Sequence, residues 1–265
     1  MKLKIVFFGD IIGKPGRLAL KKLLPELKKE LKPHLIVANA ENLAHGVGIT
    51  AKTLEEMKEA GVDFFTSGNH IFDKKEAEEL LDLKEINVIR PANYPPETPG
   101  PEAKILDIEG NKVLMVNLMG RVFMKEDFDC PFRKFDQVYK KYKKEEAIII
   151  VDFHAEATSE KIAFGHFTDG RATAVVGTHT HVPTADNQIL KEGTGYISDI
   201  GMVGVKSSVI GVDKENVIKM FKSQRPLRHE IPEDKEIQVN AVYLEIDTKS
   251  KKVKKIERVD KFIKI

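Results

Sequence analysis

The sequence has no tryptophan, a single cysteine and no long apolar run. One thiol, Cys130, excludes an intrachain disulfide, so the fold must hold by its core. A lone cysteine also fits a reducing compartment. No stretch approaches the length of a membrane span, so a membrane partner is not expected. An excess of charge of one sign is missing too. Lysine and arginine total 43 against 41 acidic residues, a net charge of +2. That balance gives no overall field for nucleic acid or an anionic surface. Internal repeats and low-complexity tracts are absent. The opening MKLKIVFFGD has four apolar residues between Lys4 and Gly9, too few for a signal-peptide core, and reads as a strand. A cytoplasmic location is expected.

What is present is 265 residues, 42% hydrophobic and 32% charged. That is a soluble globular composition, long enough for a core without staples. We expect one domain over residues 1–265. Apolar strand runs alternate with amphipathic helical patterns. Strands are expected at 4–8, 35–40, 62–67, 87–90, 147–153 and 172–177. Helices are expected at 16–31 (despite Pro25), 53–61, 74–83 and 132–147. Thr53 and Glu56 read as a capping box, and Gly61 as a stop. AKILDI and KVLMVN read as a hairpin whose turn carries Gly110 and Asn111, and the last third turns antiparallel, ending in QVNAVYLEID and KVKKIERV. The excursion at 118–146 reads as a cap over a cleft or as an oligomer contact. Strands without alternation need both faces covered. The fold class is therefore α/β, with helices outside and sheets able to pack face to face.

The chemistry lies at the carboxyl end of each buried run. KIVFFG ends in Asp10, and LIVANA in Glu41 and Asn42. VDFFTSG ends in Asn69 and His70, AIIIVDF in His154, and ATAVVGT in His179 with His181 two residues on. In open α/β sheets ligands bind at the carboxyl ends of strands, so five such ends converge on one cleft. Any one of these residues alone reads as a cap, a turn or a core polar group. Their joint recurrence is what a structural role leaves unexplained. The donors are oxygen and imidazole without thiolate, which suits Mn, Fe or Zn. So many ligands suit two metals sharing a carboxylate.

SGNH (67–70) and GTHTH (177–181) resemble the Gly-Asn-His and Gly-His-x-His blocks of calcineurin-like metallophosphoesterases. Asp10-Ile11-Ile12 lacks the histidine of that superfamily's Asp-x-His, and Glu41 stands where its bridging Asp is usual. GDIIGKPGR, AEN, GNHIFD, VDFHAEATSEK and VVGTHTHVPTADN together resemble the YmdB-type branch, and NLMGRVF and YISDIGM extend the likeness over most of the chain. The resemblance implies an αββα sandwich of two packed mixed sheets. It implies a dinuclear phosphodiesterase acting on cyclic nucleotides, with two divalent ions per chain: iron, or else manganese or zinc. Asp10, Glu41, Asn42 and His181 would hold one ion. Glu41, Asn69, His154 and His179 would hold the other. His70 would be the catalytic acid, protonating the oxygen that leaves as a hydroxide bridging the ions attacks in line.

Other motifs carry less. HGVGITA (45–51) starts too far beyond its strand for a dinucleotide fingerprint and reads as a pocket loop, with His45 near a phosphate. GDIIGKPG has Pro15 where a P-loop needs Ser or Thr. His34, His166 and His229 default to surface or core roles, Cys130 to packing, and KKYKK (140–144) to a solvated face. Small phosphodiesters are the expected partners, RNA ends a further option, and a homo-oligomer the expected assembly. The alternatives are a phosphomonoesterase or nucleotidase on the same site, and a metal-containing nucleotide sensor without turnover.

Overall fold

The structure is a computed structural model and describes residues 2–83 and 85–265. The first half builds one sheet and its helices: β1 (Lys2–Ile11), α1 (Gly13–Leu31), β2 (Leu35–Asn39), α2 (Ala51–Ala60), β3 (Phe64–Thr66) and α3 (Ala77–Leu81). A second sheet is built by β4 (Ala103–Ile108), β5 (Asn111–Met119), α4 (Pro131–Tyr142), β6 (Ile148–His154), α5 (Thr158–Thr168), β7 (Ala174–Thr178), β8 (Gln188–Ile189) and β9 (Gly195–Ile197). The chain then returns to the first sheet with β10 (Met202–Val205), α6 (Lys214–Ser223), β11 (Glu236–Asp247) and β12 (Lys252–Lys264).

Each sheet has six strands, ordered β12-β11-β10-β1-β2-β3 and β4-β5-β6-β7-β9-β8. The centres are parallel: β1 lies between β10 and β2, and β6 between β5 and β7. The sheets pack face to face. Leu3, Ile5 and Phe7 of β1 meet Met115, Ile150 and Val176 of the second sheet in a shared core. On the outer face of the first sheet, Val6 and Phe8 meet Leu20, Leu24 and Leu27 of α1 and Met57 of α2. On the outer face of the second, Val151 and Phe153 meet Phe135 of α4 and Phe164 of α5. This is the expected αββα sandwich, and it explains the unbroken apolar runs: β6 (IIIVDFH) is buried at all seven positions.

Several boundaries differ from the sequence reading. Thr50, not Thr53, caps α2; its extended backbone lets its hydroxyl accept from Thr53 N–H, and Thr53 Oγ1 accepts from Thr50 N–H in return. Glu56 is thereby free to pair with Arg17 at 2.7 Å. Residues 87–90 form no strand; Val88 makes one isolated bridge to Phe65. The hairpin turns on Glu109 and Gly110, both at positive φ (51° and 78°), so Asn111 already belongs to β5. The helix expected at 74–83 covers only Ala77–Leu81. Of the 118–146 segment, residues 131–142 are α4 on the second sheet, while Phe123 ahead of it is 85% exposed. Among the described residues no helix is long and apolar enough to cross a membrane.

Candidate metal centre

The carboxyl ends of β1, β2 and β3 in one sheet meet those of β6 and β7 in the other. Alternation along β1 would put Asp10 on the helix side with Val6 and Phe8. A bulge at Gly9 shifts the register against β2 between Phe8 and Asp10. Ile11 therefore falls on the helix side, and Asp10 turns toward the second sheet. Gly9 is required there, because a Cβ would lie 1.9 Å from the Gly201 carbonyl oxygen.

Asp10 and His154 are fully buried, and Glu41 and Asn42 nearly so. Asn69, His70, His179 and His181 are half-buried, and His45 is exposed. Two groups of potential ligands, each with its atoms within 4.8 Å of one another, share Glu41: one adds His154 and His179, the other Asp10 and His181. His154 Nε2 lies 3.3 Å from Glu41 Oε2 and 3.0 Å from His179 Nδ1, and His181 Nε2 lies 3.7 Å from Asp10 Oδ1. His179 and His181 both take positive φ, 100° and 62°, a strained backbone for residues with side chains.

Whether these residues suit metal ions can be tested on their unmet valences. Among the described residues the buried side-chain atoms with no hydrogen-bond partner are Asp10 Oδ1, Asn42 Oδ1 and Asn69 Oδ1. A buried acceptor without a donor is costly, by about 1–3 kcal/mol. All three are oxygens on residues at or beside the strand ends that carry Glu41 and its neighbours, the donor type that hard cations take. The imidazoles are oriented to match. Thr178 Oγ1 donates to Asp152 Oδ1 at 2.6 Å and so accepts from His154 Nδ1 at 2.8 Å. His181 Nδ1 donates to the Ile210 carbonyl at 2.8 Å. In both rings Nε2 is left for the centre. The donor set therefore fits metal binding, in two groups that share Glu41.

Burial pushes the Glu41 carboxyl up, but the charge and hydrogen bond of His154, with smaller help from His70 and His179, together hold the group down at about 2. Burial pushes His154 down, but Glu41, Asp10 and Asp152 together lift it to about 9. Burial and the charge on His154 drive His179 down to about 3. Burial raises Asp10, and it raises Asp152 to about 6.

His70 sits at the rim. Its backbone N–H donates to Glu41 Oε2 at 3.2 Å and its Nδ1 lies 2.8 Å from Asp73 Oδ2. His45 lines the same cavity, about 630 Å³, along with Glu41, Asn42, His179 and His181. His229, assigned by default to the surface or core, also lines it, beside Ile231. Sequence reasoning missed Asp73, although it lies within GNHIFD three residues beyond His70. It also missed Glu156, whose carboxylate is 3.3 Å from His179 Nε2. Gly68 enters the sequence reading only as part of a motif. A Cβ there would sit 2.2 Å from Glu41 Oε2 and 2.4 Å from His154 Nε2, so the residue before Asn69 has no room for a side chain.

Comparison with known proteins supports the same reading. A family model described as YmdB-like protein matches residues 6–259. The chain is 46% identical over 257 residues to a protein of Bacillus subtilis (strain 168) named 2',3'-cyclic-nucleotide 2'-phosphodiesterase, covering 97% of this chain and 96% of that one. It is similar to a crystal structure from Mycoplasma pneumoniae described as a novel phosphatase, with TM-score 0.92, 36% identity, and coverage of 100% of this chain and 95% of that one. A hypothetical protein from Thermus thermophilus gives TM-score 0.91 and 38% identity, covering 98% of this chain and 100% of that one. The expected class, a hydrolytic metallophosphoesterase, agrees with the activities named for these relatives. On the strength of a match that runs nearly end to end and a closely shared fold, this chain belongs to the YmdB-like protein family.

Proposed function

We propose that the chain is a dinuclear metallophosphodiesterase that opens cyclic phosphodiesters of nucleotides. The observation that carries this is the pair of ligand groups that share Glu41, together with the unpartnered oxygens on Asp10, Asn42 and Asn69, beside a cavity that Glu41 and Asn42 line. Asp10, Glu41, Asn42 and His181 hold one divalent ion; Glu41, Asn69, His154 and His179 hold the second. Iron is the proposed metal, with manganese or zinc able to occupy the same oxygen and imidazole donors. Such a pair of ions, when bound, supplies an acidified water and neutralises phosphoryl charge.

The chain's own residues do the rest. Asp73 takes the Nδ1–H of His70, which leaves Nε2 to carry a proton to the departing alkoxide. The His70 N–H bond to Glu41 ties that imidazole to the ligand shell, so it cannot drift from the reacting phosphorus without disturbing the centre. His45, on a loop whose Gly46 carbonyl is held by Asn42 Nδ2 at 2.8 Å, can meet a phosphate oxygen. An apolar wall of Ile12, Val47, Ile210, Val212 and Ile231 faces the ligands and suits a ribose and base. Taken with the name of the Bacillus subtilis relative, this favours 2',3'-cyclic nucleotides. The proposed setting is cytoplasmic, and the proposed assembly a homo-oligomer.

The test is His70→Ala, assayed on a 2',3'-cyclic nucleotide and on bis-p-nitrophenyl phosphate with metal content measured. A general acid matters for a nucleoside alkoxide and little for p-nitrophenolate. The variant should keep its metal, lose ~10²–10⁴-fold on the nucleotide, and lose much less on the aryl diester. Equal losses on both substrates would make His70 a phosphate-orienting group, and loss of metal would make it a ligand.

A further inference from the structure

Behind the histidine loop lies a buried ion pair that the chemistry above does not use. Lys161 of α5 and Asp199, each 1% exposed, meet at 2.6 Å between Nζ and Oδ2. Lys161 Nζ also donates to the carbonyl of Thr178, the residue before His179, at 2.8 Å. Asp199 Oδ2 accepts from the N–H of Thr180, between His179 and His181, at 3.0 Å. The other carboxylate oxygen, Oδ1, accepts from Gly201 N–H at 2.8 Å, and the Gly201 carbonyl accepts from Asp10 N–H at 3.2 Å. Asp199 comes after β9 of the second sheet and before β10 of the first, so it stands where the chain crosses between them. One carboxylate thus holds the residue between His179 and His181 and, through Gly201, the backbone of Asp10.

A buried ion pair is a poor source of stability, because desolvating two charges offsets most of their attraction. What it fixes well is geometry. The loop it grips holds two histidines at positive φ, a backbone that does not persist without surroundings that enforce it. We infer that Lys161 and Asp199 are positioning residues of the metal centre: the pair sets His179, His181 and Asp10 in ligand-ready positions before any ion arrives. The inference rests on reading this site as a metal centre.

The decisive variant is Lys161→Met, because two effects then have opposite signs. Removing a cation near the site would by Coulomb's law tighten metal binding. Losing the brace would weaken it. Metal-stripped full-length protein, wild type and variants, is titrated with manganese(II) by calorimetry, with circular dichroism to verify folding. Wild-type uptake comes first; if wild type takes up no manganese, the metal-centre reading itself fails. With uptake established, Lys161→Met and Asp199→Asn should each bind at least about tenfold more weakly, as loss of a group behind a ligand typically does. Excess manganese should restore turnover. Unchanged or tighter binding by Lys161→Met overturns the inference, as does a lowered melting temperature with unaltered affinity, which marks a structural pair only. If neither variant folds, amide exchange on metal-free wild type decides. Thr180 and Gly201 N–H should already be protected, and protection that arises only with manganese would show that the ion, not the pair, organises the loop.

Discussion

At the scale of single residues, the centre without metal is held by one proton. His154 is lifted to about 9 from an ordinary 6.5, and Glu41 is lowered to about 2 from 4.5. A raised histidine contributes stability that is full below 6.5 and is lost as pH rises through about 9. A depressed carboxyl contributes stability that is present above 4.5 and is lost as pH falls through about 2. The contribution of this pair to the metal-free fold should therefore be greatest between pH 4.5 and 6.5. Metal must displace the His154 proton, so uptake between pH 6.5 and 9 should release a proton and tighten as pH rises. Calorimetric titration at about pH 7.5, within that window, in two buffers of different ionisation enthalpy measures this directly. Identical heats in both buffers would mean that His154 is already neutral.

At the scale of elements, the parts legible in the sequence are those whose pattern comes from burial alone. The central strands read as unbroken apolar runs because both their faces are covered, and α1 reads through Pro25 because that residue sits on its exposed face. The helix α5 is illegible for the opposite reason. Its Glu160 and Lys161 point inward, where Glu160 takes the N–H groups of Arg121 and Val122 and Lys161 takes Asp199. Polar residues on the inner face erase the amphipathic signature. The strands β8, β9 and β10 are two to four residues long, too short for any period to show. The proposed ligands are legible because strand ends announce them, whereas Glu156 and Asp199 act through neighbours that only folding supplies. Docking of α5 itself depends on Phe164, fully buried and stacked on Phe153 at 4.2 Å. Phe164→Ala should cost about 3–5 kcal/mol in denaturant unfolding. A loss under about 1 kcal/mol would show that the cluster collapses into the space.

At the scale of the whole molecule, the proposed ligands divide between the sheets. Asp10, Glu41, Asn42 and Asn69 come from the first, and His154, His179 and His181 from the second. Bound ions would therefore tie the two sheets together. Metal at a hundred times its dissociation constant should add about 2.7 kcal/mol per independent site, and a chelator should remove it. Melting monitored with and without chelator checks this; an unchanged midpoint would deny that the ions prefer the native state. The same division bears on how the protein is made. Ligands that begin at Asp10 and end at His181 are brought together only after parallel strands, the slow pairings, have found their places. A chain still emerging from the ribosome offers no pocket to an ion until residue 181 is out and both sheets have closed. Metal uptake is thereby expected to follow closure of both sheets, so that a half-made chain presents scattered donors rather than a site.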